Sequence, residues 1–330
     1  GAAAAATPGY LAGPVPAGIL TIVIHAHRVT APCPYRLSVT WDGLPPGAAE
    51  PAPRRRALRT AATATTAAPA WHRGDLHAHT VHSDGEWDVP ALLAFARETG
   101  LDFVALTDHN TTSGLAGIDD AAGGKPRVIP GMELTTFSGH AVSLGTREWI
   151  DWGVLRRDGM SAICRDVLRG GGLFVIAHPA SIGDPICSGC DWRFPDLMPG
   201  PVSAVEVWNG PWDCNSNNER GLALWYEWLN QGRRLAAIAG SDTHGPGECW
   251  ERIGRSVVWS QGCTEEAILG SVAAGRLYLS AGPRLELSAV GGGRVIGRQG
   301  LGGETPDIAD LHRAGGVDLI HPPVVGGVLR

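Results

Sequence analysis

The sequence predicts an α/β barrel built largely from parallel strands, and three observations lead to this fold class. From Trp71 onward, short apolar segments rich in β-branched residues alternate with segments of helical period. Of the 330 residues, 44% are hydrophobic and 18% are charged, a balance typical of a globular protein and not of a disordered one. No apolar run approaches the roughly 18 residues that a membrane-spanning helix needs, so we expect no membrane partner.

Two parts of the chain precede the predicted barrel. Residues 1–44 are interpreted as a small N-terminal β segment, because the β-branched runs 19–24 and 35–40 lie between Pro and Gly turns. The chain begins without Met and without a basic region followed by an apolar one, so we expect no intact secretion signal. Residues 45–70 are rich in Pro, Ala and Thr and have no period, which predicts a linker.

The barrel is predicted to span residues 71–275, because strand-like and helix-like segments alternate there as they do in parallel α/β folds. The predicted strands are 74–80, 102–109, 128–136, 139–145, 173–178, 204–208 and 235–240. The predicted helices are 89–99, 160–169, 217–230 and 265–274. Residues 276–330 are interpreted as a short, partly β C-terminal extension with strands at 277–280 and 285–290. Glycine is frequent beyond Gly291, and no element is assigned there.

The charge balance excludes one class of partner. The formal net charge is −6, from 27 basic and 33 acidic residues, so no basic field is present to hold a long nucleic acid. Only one of the basic residues is a lysine, Lys125, which removes most mechanisms that depend on a catalytic lysine. The chain contains 12 histidines, and their positions carry the functional interpretation.

Histidines and carboxylates occur where predicted strands of the barrel end. His77 and His79 close the first strand, and a strand's period of two places both imidazoles on one side, a spacing that suits a pair of metal ligands. Seven further residues lie at or near strand ends in the same way, and these are Asp84, His109, Glu133, His140, His178, Asp242 and His244. The carboxyl ends of barrel strands converge on one face, so we expect all nine side chains to meet.

Nine ligands exceed the three or four of a single zinc site and predict two or three divalent ions, with Glu133 as a bridging carboxylate. The ligands are all nitrogen and oxygen, which suits Zn, Mn or Fe. Such ions lower the pKa of a bound water toward about 7, which makes hydroxide available for attack on an ester. We therefore predict catalytic roles for Glu133, Asp242 and His244, with Asp242 accepting the proton of the water.

The motifs GDLHAHTVHSDG, ALTDHN, GMEL, SGHAVSLG, IAHP and GSDTH resemble those of the PHP (polymerase and histidinol phosphatase) superfamily of metallohydrolases. The resemblance covers residues 71–260, and the six motifs occur in the family's order. The leading β segment, the WHRGDLHAHT entry and the RLYLSAGPRLEL exit resemble the CehA/McbA branch, named for carbaryl hydrolases, up to about residue 290.

The resemblance implies a distorted seven-stranded (β/α)7 barrel that holds up to three metals. By match of motifs, one ion would be held by His77, His79, Glu133 and Asp242. A second would be held by Glu133, His140 and His178. A third would be held by Asp84, His109 and His244.

A rival barrel, that of the amidohydrolase superfamily, also begins with His-x-His on its first strand. Many of its binuclear members bridge their metals with a carboxylated lysine, but Lys125 lies in the segment Gly-Gly-Lys-Pro, which is typical of a loop. Glu133, inside a predicted strand, is better placed to bridge. The Asp242-x-His244 pair also fits the PHP pattern better than the rival's single terminal aspartate.

Three functions remain open on the sequence. The first is hydrolysis of a phosphoester of a small molecule or nucleotide, and the second is hydrolysis of a carbamate or of a carboxylic (aryl) ester. The third is a metal-stabilised binding module without activity. A cationic pocket would favour phosphate, and an apolar pocket lined by tryptophan would favour an aryl ester. The tryptophans near predicted strand ends are Trp152, Trp192, Trp208 and Trp212.

Three residues near the strands are candidates for binding the small-molecule substrate by their location alone, and these are Arg73, Asn110 and Asn209. Residues 181–201, which follow His178, are interpreted as a long loop over the mouth of the barrel. Cys187 and Cys190 within it have the spacing of a redox or metal-binding pair, and free thiols, a local disulfide and a metal site remain as alternatives.

Overall fold

The computed structural model describes residues 6–13, 18–19, 21–24, 26, 29–40, 68–116, 118, 124–247, 250–282, 285–290 and 294–299. Eleven strands are present there: β1 (Pro69–Asp75), β2 (Phe103–Leu106), β3 (Arg127–Thr136), β4 (Gly139–Leu144), β5 (Leu173–Ile176), β6 (Ala204–Asn209), β7 (Ala236–Gly240), β8 (Arg255–Gln261), β9 (Leu277–Ser280), β10 (Leu285–Val290) and β11 (Arg294–Gln299). The helices are α1 (Val89–Glu98), α2 (Leu155–Arg169), α3 (Asn218–Asn230) and α4 (Glu265–Ala273).

Nine strands form one sheet in the order β7-β6-β5-β4-β3-β2-β1-β8-β9. The sheet curls until the segments that follow β1 and β7 meet, where Ala78 bridges Thr243. Two backbone hydrogen bonds support that closure, from His79 N to Thr243 O at 3.0 Å and from Asp242 N to His77 O at 2.9 Å. The result is an α/β fold with a nearly closed, barrel-like sheet.

The sheet has nine strands and mixed directions, which corrects the expectation of seven largely parallel strands. β3 and β4 are joined by residues 137–138 alone, and so short a connection can only make an antiparallel hairpin. β4 is also antiparallel to β5. β8, which was not predicted, runs antiparallel to β1 from Pro69 opposite Gln261 to Gly74 opposite Ser256, and β9 extends it.

The helices pack their apolar faces against the sheet. Leu92 and Ala96 of α1 are buried in a cluster with Val104 and Leu106 of β2. α1 begins as predicted, because Asp88 accepts a hydrogen bond from Ala91 N as its N-terminal cap. No helix in the described part of the chain is long and apolar enough to cross a membrane.

The described residues of the N-terminal part form no strand, although 19–24 and 35–40 were expected to do so. Residues 21–24 and 35–40 pair with no strand that the structure describes, and Ile19 and Tyr35 are 97% and 78% exposed. A β-branched run needs a neighbouring strand and a surface to cover it, and local sequence supplies neither. Of the predicted linker, residues 45–67 lie outside the described part, and Pro69 already belongs to β1.

The C-terminal part contains the predicted strand β10 together with β11, which pairs with it antiparallel in a two-stranded sheet. β11 was not predicted, because the surrounding glycines obscure its alternation of residue types. Residues 300–330 lie outside the described part, so the interpretation of the remaining extension stays a prediction.

Candidate metal centre

All nine predicted ligands meet at the carboxyl end of the barrel. His77 and His79 follow β1, His109 follows β2, His178 follows β5, and Asp242 and His244 follow β7. Glu133 lies within β3 and His140 within β4, which the hairpin places side by side. The parallel strands end on the same face, so residues as far apart in sequence as His77 and Asp242 become neighbours.

Glu133 is the central residue of the cluster, and it is fully buried. Its Oε1 lies 3.0 Å from Nδ1 of His140 and 3.2 Å from Nε2 of His178. Its Oε2 lies 2.7 Å from Nδ1 of His109 and 3.3 Å from Nε2 of His77. The two oxygens therefore face two different sets of imidazoles, which is the arrangement that a bridging carboxylate requires.

In one group of four side chains, three of the distances between ligand atoms match those around a tetrahedral ion. Oε2 of Glu133 lies 3.3 Å from Nε2 of His77 and 3.4 Å from Nε2 of His79, and Oδ1 of Asp242 lies 3.4 Å from Nε2 of His77. Ligands about 2.0–2.1 Å from a tetrahedral ion are separated by about 3.4 Å. Nε2 of His77 and Oε2 of Glu133 are buried, and neither makes a well-aligned hydrogen bond within the described residues, although Oε2 lies 2.7 Å from Nδ1 of His109. Such atoms need a partner, and a divalent ion fits them.

A second group lies on the solvent side of the first. Asp84 accepts ion-pair contacts from Nε2 of His109 at 3.5 Å and Nε2 of His244 at 3.3 Å, and one nitrogen of His79 completes the group. The side chains of Asp84 and His244 are 59% and 40% exposed. This side of the cluster is therefore the one that a substrate can approach.

A third group is buried and includes a residue that the sequence interpretation did not assign to the cluster. One ligand atom each of His140, His178 and Cys190 lie within 4.8 Å of one another. Cys190 is joined to Cys187 in a disulfide, which decides between the alternatives that the sequence left open.

The buried carboxylate of Glu206 is a further member of the site that sequence reasoning missed. Nδ1 of His77 donates to its two oxygens at 3.1 and 3.2 Å, and His178 N donates to Oε2 at 3.1 Å. Glu206 lies in the buried strand Ala-Val-Glu-Val-Trp-Asn, and a single acid inside an apolar strand is the signal that could have revealed it. Gly240 leaves the space for this contact, because a Cβ there would lie against Oε1 of Glu206 and Cβ of His77.

The structure does not bring the three substrate-binding candidates together as free side chains. Arg73 lies near Asp102 and Tyr278, at the start of β2 and away from the ligand cluster. Asn110 lies beside His109, but its amide is bonded to both the N–H and the carbonyl of Thr135. The roles of these two residues in substrate binding stay predictions.

Asn209 is the third candidate, and its side chain contacts Asp242, one of the predicted ligands. It is buried, and its amide donates to Oδ2 of Asp242 and Oε2 of Glu206, both at 3.1 Å. Its Oδ1 accepts from the hydroxyl of Ser216 at 2.6 Å. Asn209 therefore holds two carboxylates in place. The tryptophans Trp152, Trp192 and Trp208 pack in or against an apolar core cluster.

The cluster shifts the pKa values of its own members. Burial opposes ionisation of Glu133 and Asp242, but neighbouring imidazoles outweigh it and hold the pKa of each carboxyl well below its usual range. Burial likewise opposes protonation of His109, but Glu133 and Asp84 raise the pKa of His109 to about 10. Neighbouring carboxylates raise the pKa of His77 in the same way. Without an ion, these histidines therefore hold protons more strongly than free imidazoles do.

Backbone strain is concentrated at the centre. Four described residues other than glycine have a positive φ, and three of them are Asn110 (52°), His178 (24°) and Asp242 (54°) at the strand ends of the cluster. Conformations of this kind cost of order 1–3 kcal/mol each and persist where surrounding contacts impose them. The chain thus turns sharply at these residues to direct side chains into the centre.

Comparisons with known proteins follow from this geometry. No known protein-family profile matches the chain. One similar solved structure is a two-domain protein containing a predicted PHP-like metal-dependent phosphoesterase from Bacteroides vulgatus, with a TM-score of 0.46, 20% identity, and coverage of 64% of this chain and 65% of that one. The chain therefore spans less than two thirds of that protein's length.

Two further solved structures are similar at 20% identity. One, from Bifidobacterium adolescentis, is described as a "putative metal-dependent phosphoesterase" and has a TM-score of 0.39, with 55% of this chain and 91% of that chain covered. The other is an amidohydrolase from Chromobacterium violaceum, with a TM-score of 0.34 and coverage of 55% and 89%.

A protein of Methanocaldococcus jannaschii, the uncharacterized protein MJ1587, is similar in sequence. It is 30% identical over an alignment of 151 positions, which covers 42% of this chain and 81% of that protein. The chain belongs to the same family as MJ1587.

Proposed function

We propose that the chain is a metal-dependent hydrolase of the PHP superfamily that cleaves a phosphoester of a small molecule or nucleotide. The observation that carries the proposal is the position of Glu133, whose two oxygens face separate sets of imidazoles within 2.7–3.3 Å. A carboxylate so placed suits a centre of two or three divalent ions. The CehA/McbA branch is the branch that the leading and closing motifs favour.

Different groups of residues would hold the separate ions of such a centre. His77, His79, Glu133 and Asp242 would hold one ion, Glu133, His140 and His178 a second, and Asp84, His109 and His244 a third. Bound Zn, Mn or Fe would supply hydroxide at neutral pH and neutralise charge on the substrate's oxygen.

Asp242 is the residue we propose to accept the proton from the attacking water. Its Oδ1 contacts Nε2 of His79 at 2.8 Å, while its Oδ2 is held by the amide of Asn209 at 3.1 Å. Asn209 thus fixes the orientation of the carboxylate, which is 22% exposed and so reaches the open side of the centre. His244 and Asp84 line that side and would contact the substrate first.

Metal analysis combined with a substrate panel tests the proposal. The protein is reconstituted with Mn²⁺ or Zn²⁺, its metal content is measured, and p-nitrophenyl phosphate, bis-p-nitrophenyl phosphate, nucleotides and naphthyl carbamates are assayed. We expect at least two ions per chain and hydrolysis of a phosphoester. His77→Gln should lose both, while His72→Gln, on β1 outside the cluster, should lose neither. Fewer than two ions after reconstitution would refute a multinuclear centre.

Carbamate or carboxylic ester hydrolysis is the second candidate, and the open side of the cluster gives it one specific support. Trp149, 51% exposed, donates from its indole to the carbonyl of Asn110, next to His109. An indole at that position can pack against an aryl group. Faster turnover of naphthyl carbamate than of any phosphoester in the same panel would select this reaction. Two or more bound ions with no hydrolysis of any substrate would favour the metal-stabilised binding module.

A further inference from the structure

The loop that follows His178 lies directly against two of the proposed metal ligands. The carbonyl of Ser188 is 3.2 Å from Nε2 of His140, and the carbonyl of Cys190 is 3.3 Å from Nδ1 of His178. Both histidines are 4% exposed. The same loop carries the disulfide between Cys187 and Cys190.

These contacts assign a direction to each imidazole. A carbonyl oxygen only accepts hydrogen bonds, so Nε2 of His140 and Nδ1 of His178 must carry hydrogen. The remaining nitrogens, Nδ1 of His140 and Nε2 of His178, face Oε1 of Glu133 at 3.0 and 3.2 Å. Each ring is therefore oriented so that the nitrogen that can bind an ion faces Glu133. Around metal sites, hydrogen bonds to the outer nitrogen orient the ligand histidines in this way.

Two features of the loop keep the carbonyls of Ser188 and Cys190 directed toward the two histidines. The disulfide closes the loop across Ser188 and Gly189. Gly189 has a φ of +75° and packs so closely on the backbone of Thr136 and Phe137 that a side chain there would collide with the Thr136 carbonyl. Cys190 is buried at 6% exposure, whereas Cys187 is partly exposed and so accessible to a reductant in solution.

We propose that the Cys187–Cys190 disulfide is a positioning element for the ion site formed by Glu133, His140 and His178, and that its reduction weakens that site. The inference rests on the proposed metal centre. Reduction by a dithiol transfers two electrons and two protons: the S–S bond breaks, Cys187 and Cys190 each gain a hydrogen, and the two sulfurs of the reductant join. The loop is then free to withdraw the carbonyls that fix the two rings.

The first test uses the metal-free protein, so it does not depend on ion binding. The ring N–H resonances of His140 and His178 are recorded by NMR in the oxidised protein, in the protein reduced with a dithiol, and in Cys187→Ser. We expect hydrogen-bonded, slowly exchanging N–H signals only in the oxidised protein. Cys263→Ser serves as the matched control, because Cys263 donates to the carbonyl of Asp102 outside the cluster and its loss should leave these signals unchanged.

The second test measures ion affinity with Co²⁺ and Zn²⁺ in the same samples. Loss of an outer hydrogen bond weakens metal binding by about 10- to 100-fold, and we expect a loss of this size for one ion in reduced protein and in Cys187→Ser. Circular dichroism confirms that each sample is folded.

The possible results distinguish a positioning role of the disulfide from its alternatives. Unchanged ring signals and affinity on reduction would overturn the proposal. Tighter Co²⁺ binding with a thiolate-to-cobalt absorption band would also overturn it, because Cys190 would then be a ligand and not a positioning residue. If the oxidised protein binds no ion at all, the proposed metal centre fails, while the NMR arm still decides whether the disulfide orients the rings.

Discussion

The carboxylate of Glu206 accepts a hydrogen bond from Nδ1 of His77 at 3.1 Å, and both side chains are buried. Nδ1 must carry hydrogen to make this contact, so Nε2, which faces Glu133 and Asp242, is the nitrogen left to bind an ion. A carboxylate on the outer nitrogen also makes the imidazole more basic and so a better ligand. Glu206 on β6 thus determines which nitrogen of His77, just after β1, faces the centre of the cluster.

Glu206→Gln tests that relationship. The amide preserves the shape of the side chain but removes its charge, and we expect ion affinity to fall by about 10- to 100-fold. Competition titration with a zinc-binding dye measures the change. Glu219→Gln, on the exposed face of α3, is the control and should bind ions normally. Equal affinities for the two variants would show that Glu206 does not act through His77.

Asp242→Asn separates ion binding from proton transfer. Asparagine can still offer an oxygen ligand but cannot take a proton at neutral pH, so we expect kcat to fall by about 10²- to 10⁴-fold, as loss of a general base does. Metal analysis and steady-state kinetics are compared on one sample, with Asp213→Asn, an exposed residue paired to Arg252, as the control. Full activity with a full complement of ions would exclude the proposed role.

Ion binding should release protons at neutral pH. In the metal-free cluster Glu133 and Asp84 raise the pKa of His109 to about 10, so this ring is protonated at pH 7, and neighbouring carboxylates raise the pKa of His77 and of His178 as well. An ion must displace those protons, and its apparent affinity should therefore increase as the pH rises from 6 to about 9. Calorimetry in buffers of different ionisation enthalpy counts the protons. His109→Gln should release fewer, and binding without any proton release would contradict the assignment.

The same ionisations affect the stability of the metal-free protein. A pKa raised above that of the unfolded chain contributes stability that is complete below about pH 6.5 and is lost as the pH rises through about 10 for His109. The thermal midpoint of metal-free protein should thus fall between these values, and fall less in His109→Gln. A parallel decline in the two proteins would show that other groups are responsible.

Gly240→Ala should destabilise the fold at the centre itself. A Cβ at this position would collide with Cβ of His77 and Oε1 of Glu206, and overpacking of this kind costs about 1–3 kcal/mol. Gly270→Ala is the opposite case, because nothing lies within 4 Å of its added Cβ and the residue is in α4. There we expect a gain of about 0.4–1 kcal/mol. Urea unfolding measures both, and equal effects would contradict the packing explanation.

Much of the barrel could be predicted from local pattern. The strand β3, predicted at 128–136, is observed at Arg127–Thr136, and α1 begins at Val89 as predicted. β8 and β11 were missed, because a short strand with few flanking signals is recognised only once its partner is known. The directions of β4 and β8 follow from which strands they meet, information that single segments do not contain.

The sequence by itself determined the chemical character of this protein. Histidines and carboxylates recur at the ends of predicted strands, and the carboxyl ends of barrel strands converge on one face. The nine residues that the structure brings together could therefore be named without coordinates. Tertiary structure decided what surrounds them. Glu206, Asn209 and the carbonyls of Ser188 and Cys190 orient the ligands across the fold, and hydrogen bonds between distant residues leave no periodic trace in sequence. The tertiary structure also decided that Arg73 lies away from the cluster, because the direction of a side chain depends on the strands packed beside it.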